Sequence, residues 1–470
     1  MTSSLSLNPA DTRVLDVDPL IDDPGTRIVV CCGSGGVGKT TTAAALGLRA
    51  AERGRKVVVL TIDPARRLAQ SMGIDSLDNT PRRVKGIATA EGAEGGELHA
   101  MMLDMKRTFD EIVEAHADGQ RAEAILGNPF YQSLSAGFAG TQEYMAMEKL
   151  GQLRAQDEWD LIVVDTPPSR SALDFLDAPK RLGSFLDGKL IRVLMAPAKV
   201  GGRAGMKFLN VGMSLMTGAL GKLLGGQLLR DVQTFVAAMD TMFGGFRTRA
   251  DATYKLLQAP GTAFLVVAAP ERDALREAAY FVERLAAEDM PLAGLVLNRV
   301  HGSGAAQLSA ERALAAAENL DERGIVDQGD GNVELRTAPE AGSPAPVRDT
   351  TDEHAQTPDK TPHSARATTS APNSPATSTP AGATTDDAPA DQATTDRTTT
   401  DQLTAGLLRL HAERMQLLAR EQRTRDRFTA LHPEVAVTEV GALPGDVHDL
   451  AGLRSIGDRL AAGADPAGAA

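Results

Sequence analysis

Residues 27–43 read RIVVCCGSGGVGKTTTA, and this stretch decides the fold. Gly33, Ser34, Gly35, Gly36, Val37, Gly38, Lys39 and Thr40 satisfy G-x-x-x-x-G-K-[ST] at every fixed position. The residues before the loop, 28–32, form a short apolar run of the kind a buried parallel strand requires. After Lys39 comes TTTAAALGLRAAERG, good helix material that stops at Gly54. Strand, glycine loop and helix together make a phosphate cradle. Glycines let backbone N–H groups turn inward on a polyanion, and the helix N-terminus adds partial positive charge. Lys39 is placed to reach the β- and γ-phosphates, and the Thr40 hydroxyl to ligate Mg²⁺, with Thr41 beside it at the helix start.

Working outward, the segment from about residue 22 to residue 325 alternates strand-like and helix-like runs. Strands are predicted at 28–32, 57–62, 98–103, 161–164, 263–268 and 294–297. This alternation predicts an α/β fold, a doubly wound and mainly parallel sheet with helices on both faces. Residues 348–402 contain no Val, Ile, Leu, Met, Phe, Trp or Tyr. Such a segment cannot bury enough apolar area to offset its ordering entropy, so 336–402 is expected to be disordered. Regular structure is predicted to resume at Leu403, where Leu403, Leu407, Leu410 and Leu418 recur at helical spacing. A strand, VAVTEV, and the segment GALPGDVHDLAGLRSIGDRL follow. The stretch 403–462 is therefore expected to complete the core begun at 25–335. Residues 1–24 and 463–470 are expected to be a disordered leader and a flexible tail.

Charge and composition narrow the function. The chain carries 49 Lys and Arg against 62 Asp and Glu, a net charge of −13, and only 4% aromatic residues. An acidic chain poor in base-stacking rings is a weak nucleic-acid binder, so no nucleic-acid partner is expected. The two cysteines, Cys31 and Cys32, are adjacent on a strand and point to opposite faces, so they cannot clamp a metal together. They read as buried small hydrophobes in a cytoplasmic protein. The segment nearest to a membrane span, 208–229, carries Asn210, Lys222, Gln227 and five glycines. It reads as an amphipathic helical region within an insertion at 180–250.

Two aspartates close predicted strands. Asp63, in TIDPA, lies at the carboxyl end of 57–62, where it can orient or deprotonate an attacking water; it also suits a helix N-cap before Pro64. Asp165, ending LIVVD, has the Walker B pattern and is placed to hold Mg²⁺ through water.

GSGGVGKTTTAAALG, VVVLTIDPARRLAQSMG and DLIVVDTPPSRSALDFL, in this order and spacing, resemble the ArsA family of ATPases. That family includes arsenical-pump ATPases and the ATPase that delivers tail-anchored membrane proteins, and it sits in a larger class with MinD, ParA and the nitrogenase iron protein. The resemblance implies ATP as substrate, Mg²⁺ as cofactor, Asp63 as the water-activating residue and Asp165 as the second switch aspartate. It implies that Asn298 reads adenine, and that Pro270, Pro444 and Asp446 lie in loops flanking the base and ribose. AGTQE at 139–143 is similar to a segment near the family's dimer interface.

The departures from the family pattern are specific. The family's loop carries a lysine where this chain has Ser34, and that lysine reaches the partner's nucleotide across a dimer. Arg170 and Ser171 replace the usual glycine and histidine of the second switch, and the family's metal-binding cysteine pair is absent. The chain is similar to the serine member of the paired ArsA-like ATPases of actinobacteria. The resemblance then implies a heterodimer with a lysine-bearing ArsA-like partner and the handling of a membrane-associated client, peripherally at the inner membrane. The Met- and Leu-rich stripe in 186–229 can be a client groove or an ordinary packing face. A positioning ATPase of the MinD or ParA kind remains the alternative.

Overall fold

The computed structural model describes residues 13–62, 67–87, 95–135, 141–167, 248–326 and 390–463. Asp63, Arg170 and Ser171 lie outside the described residues, as do the 186–229 stripe and most of 336–402. By their internal contacts the residues fall into two units, Leu308–Glu413 and the remainder of the chain.

The larger unit is built on one eight-stranded sheet of order β3-β4-β2-β5-β1-β6-β7-β8. Its strands are β1 (Ile28–Cys32), β2 (Lys56–Thr61), β3 (Arg82–Arg83), β4 (Glu97–Met102), β5 (Leu161–Asp165), β6 (Thr262–Ala268), β7 (Leu292–Val300) and β8 (Val437–Gly441). Every pairing is parallel except that of β3 with β4, at one edge. The helices are α1 (Val17–Asp22), α2 (Lys39–Glu52), α3 (Arg67–Ser71), α4 (Met105–His116), α5 (Gly119–Leu126), α6 (Pro129–Ser135), α7 (Thr141–Ala155) and α8 (Arg272–Ala287). They are followed by α9 (Ala310–Val326), α10 (Ala390–Leu431) and α11 (Leu450–Ala462). Among the described residues no helix is long and apolar enough to cross a membrane.

Strand periodicity divides the core into two layers. Ile28, Val30 and Cys32 face one side of the sheet, packed with Val164, Phe281 and Leu285. Val29 and Cys31 face the other, packed with Leu46 of α2 and Leu453 and Leu460 of α11. Both faces are covered, which is why the central strands read as unbroken apolar runs.

Two sequence expectations are corrected. The leader is ordered from Arg13 onward: the Leu15 N–H donates to the Val437 carbonyl at 3.1 Å, and the Val437 N–H to the Arg13 carbonyl at 2.8 Å. Leu15, Val17 and Ile21 bury their side chains, and the Arg49 guanidinium grips Asp18 with both carboxylate oxygens, at 2.5 and 2.7 Å. That guanidinium holds the Asp18 carboxyl below its usual range. Three apolar side chains and an ion pair are enough to anchor a short segment that looks unremarkable in composition.

The second correction concerns α10, which begins at Ala390 rather than at Leu403. Once a helix is nucleated, each further residue costs little, so propagation can enter a segment with no apolar side chain larger than alanine.

Within the smaller unit, α9 and the first part of α10 are joined by an Arg409–Asp321 ion pair and by His411 Nε2, 2.8 Å from the Leu308 carbonyl. Ala313, Ala317, Ala405 and Ala412 are buried, whereas Leu403, Leu407 and Leu410 are exposed. The leucine spacing marked a helix correctly but not its buried face.

Cys31 and Cys32 are free and fully buried. Burial raises both thiols, Cys32 to about 12, and the negative charge of Asp165 pushes Cys31 further up. Iodoacetamide at pH 8 should therefore leave the native protein unlabelled and modify both thiols in denaturant; rapid native labelling in a mass spectrum would contradict this burial.

Candidate nucleotide site

The candidate site lies at the carboxyl ends of β1, β2 and β5, where open parallel sheets bind ligands. β5 is inserted between β1 and β2. Its register places Asp165 opposite both Cys31 of β1 and Thr61 of β2. Asp165 is fully buried. Its Oδ2 accepts hydrogen bonds from the Thr40 hydroxyl at 2.7 Å and the Thr61 hydroxyl at 2.9 Å. The carboxylate thus joins the start of α2 to the end of β2. Thr166 continues the seam, its hydroxyl donating to the Cys31 carbonyl at 2.9 Å.

The loop between β1 and α2 depends on glycine at two tight positions. Gly33 has φ +149°, and a Cβ there would sit 2.0 Å from the Val267 carbonyl oxygen on β6. Gly38, the residue before α2, has φ +94°, and a Cβ there would lie 2.2 Å from Asn298 Nδ2. Neither position has room for any side chain. Gly35 and Gly36 are exposed, so the rim of the loop is open to a ligand. Lys39 is 5% exposed and folds back over the loop, its Nζ donating to the Ser34 carbonyl at 2.7 Å. Ser34 is itself buried and contributes that carbonyl.

The other predicted positions lie on or just beyond β6, β7 and β8. Asn298, on β7, donates from Nδ2 to the Val37 carbonyl at 2.8 Å. Pro270 is buried just beyond β6, and Pro444 and Asp446 are exposed in the loop after β8. The sheet order lines up β1, β6, β7 and β8 as successive neighbours.

The residues present suit magnesium. Among the described residues no group of three or more His, Cys, Asp or Glu side chains gathers to form a cage. Mg²⁺ asks for less: one or two carboxylates, water and substrate phosphates. A hydroxyl and a carboxylate in mutual contact, Thr40 and Asp165, at the foot of a phosphate loop meet that need.

Sequence reasoning missed two residues that the structure brings to the site. One is Thr61, whose hydroxyl is the second donor to Asp165. The other is Gln142 of α7, whose side-chain amide donates to the Ile62 carbonyl at 2.9 Å and steadies the exit of β2. Thr61 was legible as a hydroxyl closing an apolar run. The Gln142 contact joins residues 80 apart in sequence, and no local pattern signals it.

A strand, a glycine loop with a buried lysine, and a strand-end aspartate hydrogen-bonded to the loop's threonine define a P-loop nucleotide-binding protein. The family profile described as anion-transporting ATPase, ArsA, matches residues 26–318, more than half of the chain. The chain belongs to this family and is an ATPase.

It is similar to the ATPase GET3 of Podospora anserina, 26% identical over 301 residues, covering 63% of this chain and 80% of that protein. To the ATPase get3 of Aspergillus terreus it is 24% identical over 322 residues, covering 67% and 86%. To the ATPase GET3 of Malassezia globosa it is 30% identical over 180 residues, covering 37% and 50%.

Lys39→Ala removes the buried cation of the loop. ATP turnover should fall by about 10² or more while the melting temperature changes little. Unchanged steady-state ATPase kinetics in this variant would refute the role given to Lys39.

Proposed function

We propose that this chain hydrolyses MgATP as one subunit of a nucleotide-switched heterodimer with a second ArsA-like ATPase, one that carries the signature lysine. Ser34 carries this reading. Every fixed position of the loop is kept, yet the residue that the family uses as a cation across the dimer is short, neutral and buried. A site complete in all but one charge fits a subunit whose companion supplies it. The chain is then the serine member of such a pair.

In this reading Lys39 and the N–H groups of residues 33–41 hold the phosphates. Thr40, and Asp165 through water, would hold magnesium, which would supply charge neutralisation at the phosphates. Asp63 orients the attacking water. Its neighbours support that role: the Thr61 hydroxyl bonds Asp165 and the Ile62 carbonyl is held by Gln142, so the backbone leading to Asp63 is fixed at the crevice. Asn298 meets the adenine, with Pro270, Pro444 and Asp446 bordering base and ribose. The dimer's task is to handle a membrane-associated client from the cytoplasm.

The isolated chain should then turn over ATP slowly, and mixing with the lysine-bearing paralogue should accelerate it by as much as 10³–10⁵, the worth of a cation supplied in trans. Replacing the partner's lysine should remove the gain. An isolated chain as fast as the mixture sinks the heterodimer reading.

Asp63→Asn should keep ATP affinity while slowing hydrolysis by roughly 10²–10⁴. Loss of binding with a normal rate per bound ATP would make Asp63 a structural cap instead.

A further inference from the structure

A loop that turns its N–H groups toward a phosphate turns its carbonyls away, and those carbonyls need partners of their own. In this chain one partner is Lys39, on the Ser34 carbonyl, and another comes from a different strand altogether. Asn298 is 7% exposed, and its Nδ2 donates to the Val37 carbonyl at 2.8 Å. The amide is held in that orientation from behind. Arg299 adopts φ +60°, a left-handed conformation unusual for a non-glycine residue, and its N–H donates to Asn298 Oδ1 at 2.9 Å. Beyond Asn298 the pairing of β7 with β8 shifts register, between Asn298 and Val300. The absent Cβ of Gly38 leaves the space that Nδ2 occupies, 2.2 Å from where such an atom would stand.

We propose that Asn298 is a positioning residue for the phosphate loop, fixing the Val37–Gly38 peptide through the Val37 carbonyl independently of any contact with the base. This rests on the P-loop reading of the site and goes beyond the adenine contact given above. The kink at Arg299 serves to aim the amide, so β7 sets the geometry of a loop that leaves β1. Base recognition and phosphate binding are then coupled through one side chain.

Inorganic tripolyphosphate, which has no base, separates the two roles. Its affinity with magnesium, and those of MgATP and MgGTP, would be measured by calorimetry for wild type, Asn298→Ala and Asn298→Asp, alongside melting temperatures. Orphaning the buried Val37 carbonyl should weaken all three ligands by a factor of roughly ten to a hundred, with any further loss confined to MgATP, whose adenine contact also goes. Asn298→Asp keeps the shape but faces an oxygen to the carbonyl, so it should bind no better than the alanine variant. It also guards against a mere packing defect, since Asp fills the space that Ala leaves empty.

Tripolyphosphate affinity retained in both variants, with only the preference for ATP over GTP reduced, would make Asn298 a base reader alone and overturn the proposal. Wild-type affinity for tripolyphosphate in Asn298→Asp would do the same, because shape and not donation would then suffice. A wild-type protein that binds none of the three ligands would instead overturn the nucleotide site itself.

Discussion

The site depends on the parallel register of β5 between β1 and β2. That register sets Cys31, Thr61 and Asp165 in one row across three strands. A slip of one residue in β5 would turn Asp165 to the opposite face of the sheet and put Val164 at the phosphate loop. The Thr40 and Thr61 hydroxyls lock the row from two sides by donating to a single carboxylate oxygen. Residues 57–60 and 161–164 are buried on both faces within the two core layers, and the polar strand ends Thr61 and Asp165 pin the register through their hydrogen bond.

This row also explains the chemistry of its neighbours. A buried carboxylate is expensive unless charge-assisted hydrogen bonds satisfy it, and here hydroxyls on α2 and β2 supply two, both to Oδ2. The thiol beside it must stay neutral, and Cys31 is driven that way by burial and by the same negative charge. The loop leaves β1 so close to β6 that a Cβ on Gly33 would lie 2.0 Å from the Val267 carbonyl oxygen.

The chain closes its sheet late. β8 and α11 come after the long composition break, yet β8 lies in parallel register beside β7, and α11 is tied to α2 by Arg454–Glu52 and Arg49–Asp458 ion pairs. The strand run VAVTEV at 435–440 carried this in the sequence. The reach of α10 upstream to Ala390 did not, because helix propagation leaves no apolar signature. The ordered leader was missed for a related reason: three apolar side chains within eight residues are too few to register as a pattern, but they find a prepared surface.

By itself the sequence determined the α/β class, the parallel strands, the phosphate loop and the strand-end aspartate. Each is a local matter: apolar runs of fixed length, glycines where the backbone must turn, an acid at the end of a strand. It also determined that Ser34 stands where the family carries a lysine. Only the tertiary structure decided which groups meet. Thr61 on Asp165, Gln142 on Ile62 and Asn298 on Val37 join residues 104, 80 and 261 apart in the chain. It likewise decided that α10 buries Ala405 and Ala412 and exposes Leu403, Leu407 and Leu410. Contacts at such separation follow from strand order and register, which are set by the packing of the whole sheet and by no single stretch of residues.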